Sequence, residues 1–331
     1  MKVGLMVPFS EGQQGAGSWN DLRALVQTAD EVGLDAVYAA DHLLFRSRTD
    51  PTAGTTGIHE AFTMLAGFAA VTERVEIGPL VAALPFRNPA LLAKMAAGID
   101  EISSGRFVLG LGCGWHEPEF RAFGYEFEHR VSQFAEGLQI VADLLRDGRA
   151  DFNGRWQRAE DAVLRPPGPR PGGVPILIAG KRPRMLSLVA KHADRWNAAW
   201  YGRWEEADEL RTRLASLRAA LDTEGRDPAT LALTVGLDVA FPALAPGAET
   251  EQGGIAGTAD EVAEALRAYA TAGFQEVICH CEPATPEGVA ELGRAAALAR
   301  LSAREDDVPA STAANPRQHR SHDPDTAHSA P

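Results

Sequence analysis

The sequence predicts an α/β protein built as a single (β/α)8 TIM barrel with an insertion after strand 2 and a disordered C-terminal tail. Three observations predict it. Eight short apolar segments read as strands, and each is followed by a segment whose apolar residues recur at helical spacing. Nowhere does the order turn to three strands in succession. Eight such units in about 300 residues favour a closed barrel over the alternative, an open doubly wound sheet.

The elements follow in order. Val3 to Pro8 is the first strand, because MKVGLMVPFS carries one lysine and only a short apolar run before Ser10-Glu11-Gly12-Gln13, which makes no signal-peptide core. Ser18, with Asp21 three positions on, caps a helix that runs to about Val32 and stops at Gly33. Asp35 to Ala40 is strand 2, and the polar stretch Arg46 to Gly57 is the insertion at its C-terminal end, where loops carry function. A helix from His59 to Thr72 leads to strand 3, Val75 to Val81, whose Pro79 is awkward in a central ladder. Asn88-Pro89 opens a helix to Ile102, Gly105 breaks it, and strand 4 runs from Phe107 to Leu111. Helices at Glu117 to Phe123 and Ser132 to Arg146 follow, then an Asn-Gly hairpin turn at Asn153-Gly154 and a proline-rich stretch, Arg165 to Gly173.

The second half repeats the pattern. Strand 5 is Pro175 to Ala179, strand 6 Arg195 to Ala199, strand 7 Leu231 to Ala240 and strand 8 Glu276 to His280. The helices between and after them are Arg184 to Ala193, Glu205 to Glu224, Ala259 to Ala272 with Thr258 and Glu261 as its cap, and Pro286 to Leu301. The barrel domain is thus expected over residues 1–301 and the disordered tail over 302–331, where Pro, Ser, Thr, His and Asp dominate without period.

Composition narrows the function. With 32 basic against 45 acidic side chains, a net charge of −13 repels nucleic acid and anionic membranes as general partners. No apolar run is long enough to span a bilayer. Three cysteines, Cys113, Cys279 and Cys281, make no disulfide framework, which suits a reducing, cytoplasmic setting.

In a (β/α)8 barrel the chemistry lies on the loops after the strands. Gly180-Lys181-Arg182-Pro183-Arg184 follows strand 5, and a glycine leading into a helix with free amides and three cations reads as a phosphate or carboxylate site; the bland alternative is a solvated basic helix start. Gly110-Leu111-Gly112-Cys113-Gly114 spells G-x-G-x-G and not the dinucleotide fingerprint G-x-G-x-x-G. It is either a backbone floor for a planar ligand or a tight barrel turn. Asp41-His42 sets an acid beside an imidazole at the end of strand 2, for proton handling or for a structural pairing. Cys279-His280-Cys281 invites a metal, but alternation on a strand turns the thiols to one side and the imidazole to the other, so no metal is expected.

Together these stretches resemble a known family. Ala40-Asp41-His42, Arg87-Asn88-Pro89-Ala90-Leu91-Leu92-Ala93-Lys94, Gly105 to Trp115, Ala179 to Pro183, Ala193 to Asn197 and Gly257-Thr258 occur in the order and spacing of the luciferase-like monooxygenase family of flavin- and deazaflavin-dependent oxidoreductases, in the subset that uses coenzyme F-420. The resemblance covers residues 1 to 301. It implies a tricyclic ring at the C-terminal mouth, with Asp41 and His42 beside it and a non-prolyl cis peptide at Leu80-Val81 behind it. Pro79 stands where threonine is commoner, which makes Gly78-Pro79 a competing cis site. The resemblance further implies cofactor contacts from Gly112, Cys113, Gly114 and Trp115 and from Ala179, Gly180, Lys181, Arg182 and Pro183, although Lys181 and Arg182 replace small residues.

The implied activity is hydride transfer between coenzyme F-420 and a small organic substrate. His42 is the first candidate for the proton-handling residue, with Glu60 and His116 as further catalytic candidates. Arg46 and Arg48 would join Lys181 and Arg182 in meeting an anionic tail. Phe86, Trp115, Trp200 and Tyr201 are the aromatics that would shape the substrate pocket. The alternatives are a reduced-FMN monooxygenase served by a flavin or deazaflavin reductase, and a non-catalytic flavin-binding barrel. A homodimer is the expected assembly.

Overall fold

The computed structural model describes residues 1–47, 52–246, 250 and 253–305, with side chains up to Leu301. Eight parallel strands form the wall: Lys2–Val7, Ala36–Ala39, Glu76–Pro79 continued by Ala82–Ala83, Leu109–Gly112, Ile176–Ala179, Arg195–Tyr201, Ala232–Ala240 and Glu276–Glu282. They neighbour one another in the order third, second, first, eighth, seventh, sixth, fifth, fourth. The ring closes where Ala82–Ala83 pairs with Leu111 and Gly112, and where Ile77 bridges Phe107. This is the (β/α)8 barrel that the alternation of elements predicts.

Capping fixes the helix starts. Ser18 accepts from the Asp21 amide, Asn88 Oδ1 accepts from the Leu91 amide at 3.0 Å, and Thr258 with Glu261 forms a complete capping box. The helices Trp19–Glu31, Pro89–Ile102 and Ala259–Thr271 follow from these signals. These and the helices Ala61–Val71, Arg130–Asp147 and Pro183–His192 bury apolar stripes against the sheet, so that Leu25, Phe68, Leu92, Val141, Val189 and Leu266 share one core with Leu5, Val37, Ile77, Leu111, Ile176 and Val235.

Several boundaries differ from expectation, each for a local reason. The predicted helix Glu205 to Glu224 divides into a 3-10 turn, Trp204–Glu206, and a helix, Asp208–Thr223, because Ala207 is non-helical (ψ 47°) and Trp204 is pinned against Tyr269 and Phe274. The eighth strand continues past His280 to Glu282, since the seventh offers partners Val239 and Ala240 for Cys281 and Glu282. The third strand is interrupted: Pro79 pairs opposite Ala39, the Leu80 amide donates to Ala39 O at 2.8 Å, and the Leu80–Val81 peptide is cis. Gly78–Pro79 is not among the cis bonds. The insertion after the second strand contains a hairpin, Leu44–Arg46 against Thr55–Gly57, too short and polar for periodicity to show. Arg48 lies outside the described residues.

A second hairpin, Arg149–Asn153 with Arg158–Val163, forms where the sequence places one, but the chain does not reverse at Asn153-Gly154: Asn153 pairs with Arg158 and the Gly154 amide donates to Gln157 O at 3.0 Å, so the turn lies at Arg155-Trp156. The last helix, Pro286–Glu305, passes the predicted end at Leu301. Residues 306–331, most of the predicted tail, lie outside the described residues. No helix among the described residues is long and apolar enough to cross a membrane.

The barrel interior is layered. At the N-terminal end Arg195 donates to Glu76 (2.8 and 2.9 Å) and to Glu276 (3.1 Å), while Tyr38 donates to Glu276 at 3.0 Å. Burial pushes the Glu276 carboxyl above its ordinary range, whereas Arg195 and Lys2 overcome the effect of burial at Glu76 and hold it below. Above this plug Met6, Ala36, Tyr38 and Ile278 pack as an apolar layer, edged by Ala40, Leu80 and Trp200. With the far end filled, the C-terminal mouth is where a ligand meets the barrel.

Candidate active site at the barrel mouth

The second strand delivers Asp41 and His42 to the mouth, and the two have different fates. Asp41 is buried and accepts from the Ala83 amide at 3.0 Å and from both Arg87 nitrogens at 2.6 and 2.9 Å. Its carboxylate is thus engaged in holding the interrupted third strand and the loop before Pro89–Ile102. Arg87 also donates to Glu60 at 2.8 Å, and Glu60 caps Ala61–Val71 through the Thr63 amide. Burial raises the Glu60 carboxyl, but the bonds from Thr63 and Arg87 outweigh it and leave the group below the usual carboxylate range. A depressed, bonded carboxylate is a weak proton donor near neutrality.

His42 is held differently. Its Nδ1 lies 2.8 Å from Glu119 Oε1, and the other oxygen, Oε2, accepts from the Leu43 amide at 2.8 Å. Glu119 is fully buried in the helix Glu117–Phe123, so a fixed carboxylate selects the tautomer with the proton on Nδ1 and leaves Nε2 as the acceptor. The imidazole is framed by Phe45 at 4.5 Å and by Trp115 edge-on at 5.5 Å, and Trp115 is 57% exposed, so the ring sits at an open aromatic rim. His116 is buried beneath the insertion hairpin, where its Nε2 accepts from the Arg46 amide at 3.1 Å. That contact ties the fourth-strand loop to the insertion.

The glycine run after the fourth strand lies in close contact with the interrupted third strand. A Cβ at Gly110 would meet Pro79 O at 2.1 Å, and one at Gly112 would meet Val81 Cγ2 at 2.7 Å. These glycines let the Pro79 to Val81 segment press against the fourth strand, which is the barrel-turn reading. Gly114, with φ of 73°, makes the sharp exit under Phe120. Cys113 is half-buried, and burial pushes its thiol up. Cys279 and Cys281 join the outer core, also with raised thiols, while His280 turns inward, as strand alternation predicted.

At the end of the fifth strand, Ala179 and Gly180 lead into Pro183–His192. Gly180 accepts from Trp196 Nε1 at 2.9 Å and has no room for a Cβ beside Met185. Lys181 and Arg182 are exposed, and among the described residues neither has an ion-pair partner; Arg182 occupies the N-cap position without a side-chain cap. Arg184 reaches Ser132 Oγ at 3.1 Å. Of the predicted pocket aromatics, Trp115 and Trp200 stand at the mouth. Phe86 belongs to the core, packed 4.6 Å from Phe120, and Tyr201 takes Arg213 as its hydrogen-bond partner.

Glu119 and Arg87, which hold the side chains of His42 and Asp41, are not among the site candidates that the sequence singles out. Glu119 lies 77 positions from His42, and the only signal was an acidic first turn in a helix read as incidental.

A family profile described as luciferase-like monooxygenase matches residues 1–244. The chain belongs to this family. It is 33% identical over 211 residues to the pyrimidine monooxygenase RutA of Allorhizobium ampelinum, an alignment covering 62% of this chain and 56% of that relative. The chain therefore spans little more than half of the relative's length. Among solved structures, an F420-dependent secondary alcohol dehydrogenase in complex with an F420-acetone adduct superposes with a TM-score of 0.73 at 16% identity, covering 90% of this chain and 99% of the other. A riboflavin lyase with modified FMN and riboflavin gives 0.73 at 15% identity, over 94% and 93%. At such identities both likenesses carry the fold alone. Membership of the luciferase-like monooxygenase family makes the protein an enzyme of the oxidoreductase class.

Proposed function

We propose that this luciferase-like enzyme is a deazaflavin (coenzyme F-420)-dependent oxidoreductase that moves hydride between the cofactor and a small organic substrate. The observation that carries the reading is His42, fixed through Nδ1 by the buried carboxylate of Glu119, with Nε2 left as an acceptor beside an open aromatic rim. The residues present suit such a cofactor. Lys181, Arg182 and the free amides after Pro183 offer uncompensated positive charge for its phosphate and anionic tail. Leu80 and Trp200 edge an apolar floor for a planar ring. When bound, the deazaflavin supplies a carbon centre that accepts or gives hydride and reacts poorly with oxygen.

The protein's share is orientation and a proton. His42 Nε2 takes the proton of a substrate hydroxyl as the carbon is oxidised, or returns it in reduction, and Glu119 stabilises the imidazolium that forms. Asp41, Arg87 and Glu60 hold the third-strand segment behind the ring in place. A second reading, a reduced-FMN monooxygenase with a partner reductase, draws on the likeness to a pyrimidine monooxygenase.

Fluorescence titration of the protein with coenzyme F-420 and with FMN separates the two. Micromolar or tighter binding of F-420, with FMN at least tenfold weaker, is expected; tight binding of FMN alone would overturn the deazaflavin assignment. His42→Ala should lower turnover at least a hundredfold while cofactor affinity changes less than threefold, and equal loss of both would remove the proton-handling role.

A further inference from the structure

The inward-facing residues of the seventh and eighth strands rise in matched pairs: Thr234 beside Glu276, Gly236 beside Ile278, and Asp238 beside His280. The lowest pair belongs to the charged plug and the middle one to the apolar layer. The uppermost faces the mouth. His280 Nδ1 lies 2.9 Å from Asp238 Oδ1, and the Asp238 side chain is 13% exposed against 39% for His280. The imidazole is stacked on Trp200 with centroids 3.9 Å apart and planes 25° off parallel. Trp200 in turn lies where a Cβ on Gly236 would come within 2.5 Å of it, so the seventh strand carries a glycine where this indole needs space.

A histidine at the end of a barrel strand that only completed the core would be covered. This one is open to the mouth on one side and fixed on two others. Its carboxylate partner assigns the proton to Nδ1, which leaves Nε2 as an acceptor, and Nε2 makes no hydrogen bond among the described residues. In the wall the eighth strand is separated from the second only by the first, and Cys279 is level with Leu5 and Leu5 with Val37, so His280 and His42 rise on the same side of the barrel, with His42 about four residues further along. The mouth therefore holds two carboxylate-oriented imidazoles with acceptor nitrogens, and the proton chemistry of a hydride transfer needs one.

We propose that His280, oriented by Asp238 and seated on Trp200, is a substrate-positioning residue that accepts a hydrogen bond from an O–H or N–H of the substrate, so that the enzyme selects small polar molecules with a donor group apart from the reacting one. The assignment extends the reading of the same mouth as a hydride-transfer site, and its test is read separately from turnover.

Two matched pairs serve as probes: propane-1,2-diol against 1-methoxypropan-2-ol, and uracil against 1,3-dimethyluracil. Each pair exchanges donors for methyl groups. Binding to the full chain is followed by ligand-observed NMR without cofactor, and turnover is followed with coenzyme F-420 and with FMN. The unaltered protein should bind the donor-bearing member of at least one pair at least tenfold more tightly. His280→Phe, which keeps a ring on Trp200 but has no nitrogen, should shrink that preference to within twofold without changing affinity for the methylated partner. His280→Gln, which can place an acceptor near the position of Nε2, should restore most of it. Absence of donor preference in the unaltered protein, or its survival in His280→Phe, would overturn the proposal. A donor preference that depends on His280 in a protein that turns over no substrate with F-420 would sink the deazaflavin reading and leave this one standing; turnover without donor preference would do the reverse.

Discussion

At His42 the chemistry depends on which ring nitrogen carries the proton. Glu119 settles this as a buried carboxylate that can only accept, so Nδ1 donates and Nε2 receives. Glu119→Gln keeps the size and the acceptor for the Leu43 amide, but its amide nitrogen would donate to Nδ1 and move the proton to Nε2. The variant should lose about 10²–10⁴-fold in kcat, the usual contribution of a correctly poised acid-base group, while cofactor affinity stays within about threefold. Steady-state kinetics beside a cofactor titration would check it. A kcat within fivefold of the unaltered enzyme would show that the pair is a packing contact. Asp41, adjacent in sequence, would behave otherwise: its three hydrogen bonds hold structure, so its loss should be felt first in stability.

At the scale of elements, the closure between the third and fourth strands is tightly packed. Gly110→Ala would drive a methyl to 2.1 Å from the Pro79 carbonyl oxygen, where only backbone movement relieves the overlap. A loss of about 1–3 kcal/mol is expected from such overpacking. Gly98, exposed in the helix Pro89–Ile102 with nothing within 4 Å of where a Cβ would sit, is the control: Gly98→Ala should stabilise by about 0.5–1 kcal/mol. Urea denaturation of both variants distinguishes a crowded seam from a general intolerance of alanine. What the sequence disclosed at this scale follows from range. Caps such as Ser18 with Asp21 and Thr258 with Glu261 act within one turn, and the strands announce themselves by local apolar runs, so the barrel was readable. The hairpin Leu44–Arg46 with Thr55–Gly57 has no apolar face long enough to register. Pairings across the fold, such as His42 with Glu119, Arg87 with Asp41 and Asp238 with His280, depend on strand order and register, which no local pattern contains.

For the whole molecule, a net charge of −13 repels an anionic cofactor at long range, so binding depends on local charge. Several arginines are committed to carboxylates: Arg87 to Asp41 and Glu60, Arg170 to Asp100, Arg195 to Glu76 and Glu276. Lys181 and Arg182 differ in being exposed at the start of Pro183–His192 without a carboxylate partner among the described residues. Two unneutralised cations at the positive end of a helix repel each other and the dipole, and a bound anion removes that repulsion. The Lys181→Ala/Arg182→Ala double variant should therefore fold at least as stably as the unaltered chain while binding coenzyme F-420 about ten- to a hundredfold more weakly, equivalent to about 1.4–2.8 kcal/mol. Raising ionic strength should weaken cofactor binding to the unaltered protein, because the Debye length falls to about 3 Å at 1 M salt, and should have a much smaller effect on the double variant. If the variant binds F-420 as well as the unaltered protein and with the same salt dependence, the basic cluster is a solvated helix start and the anion is held elsewhere at the mouth.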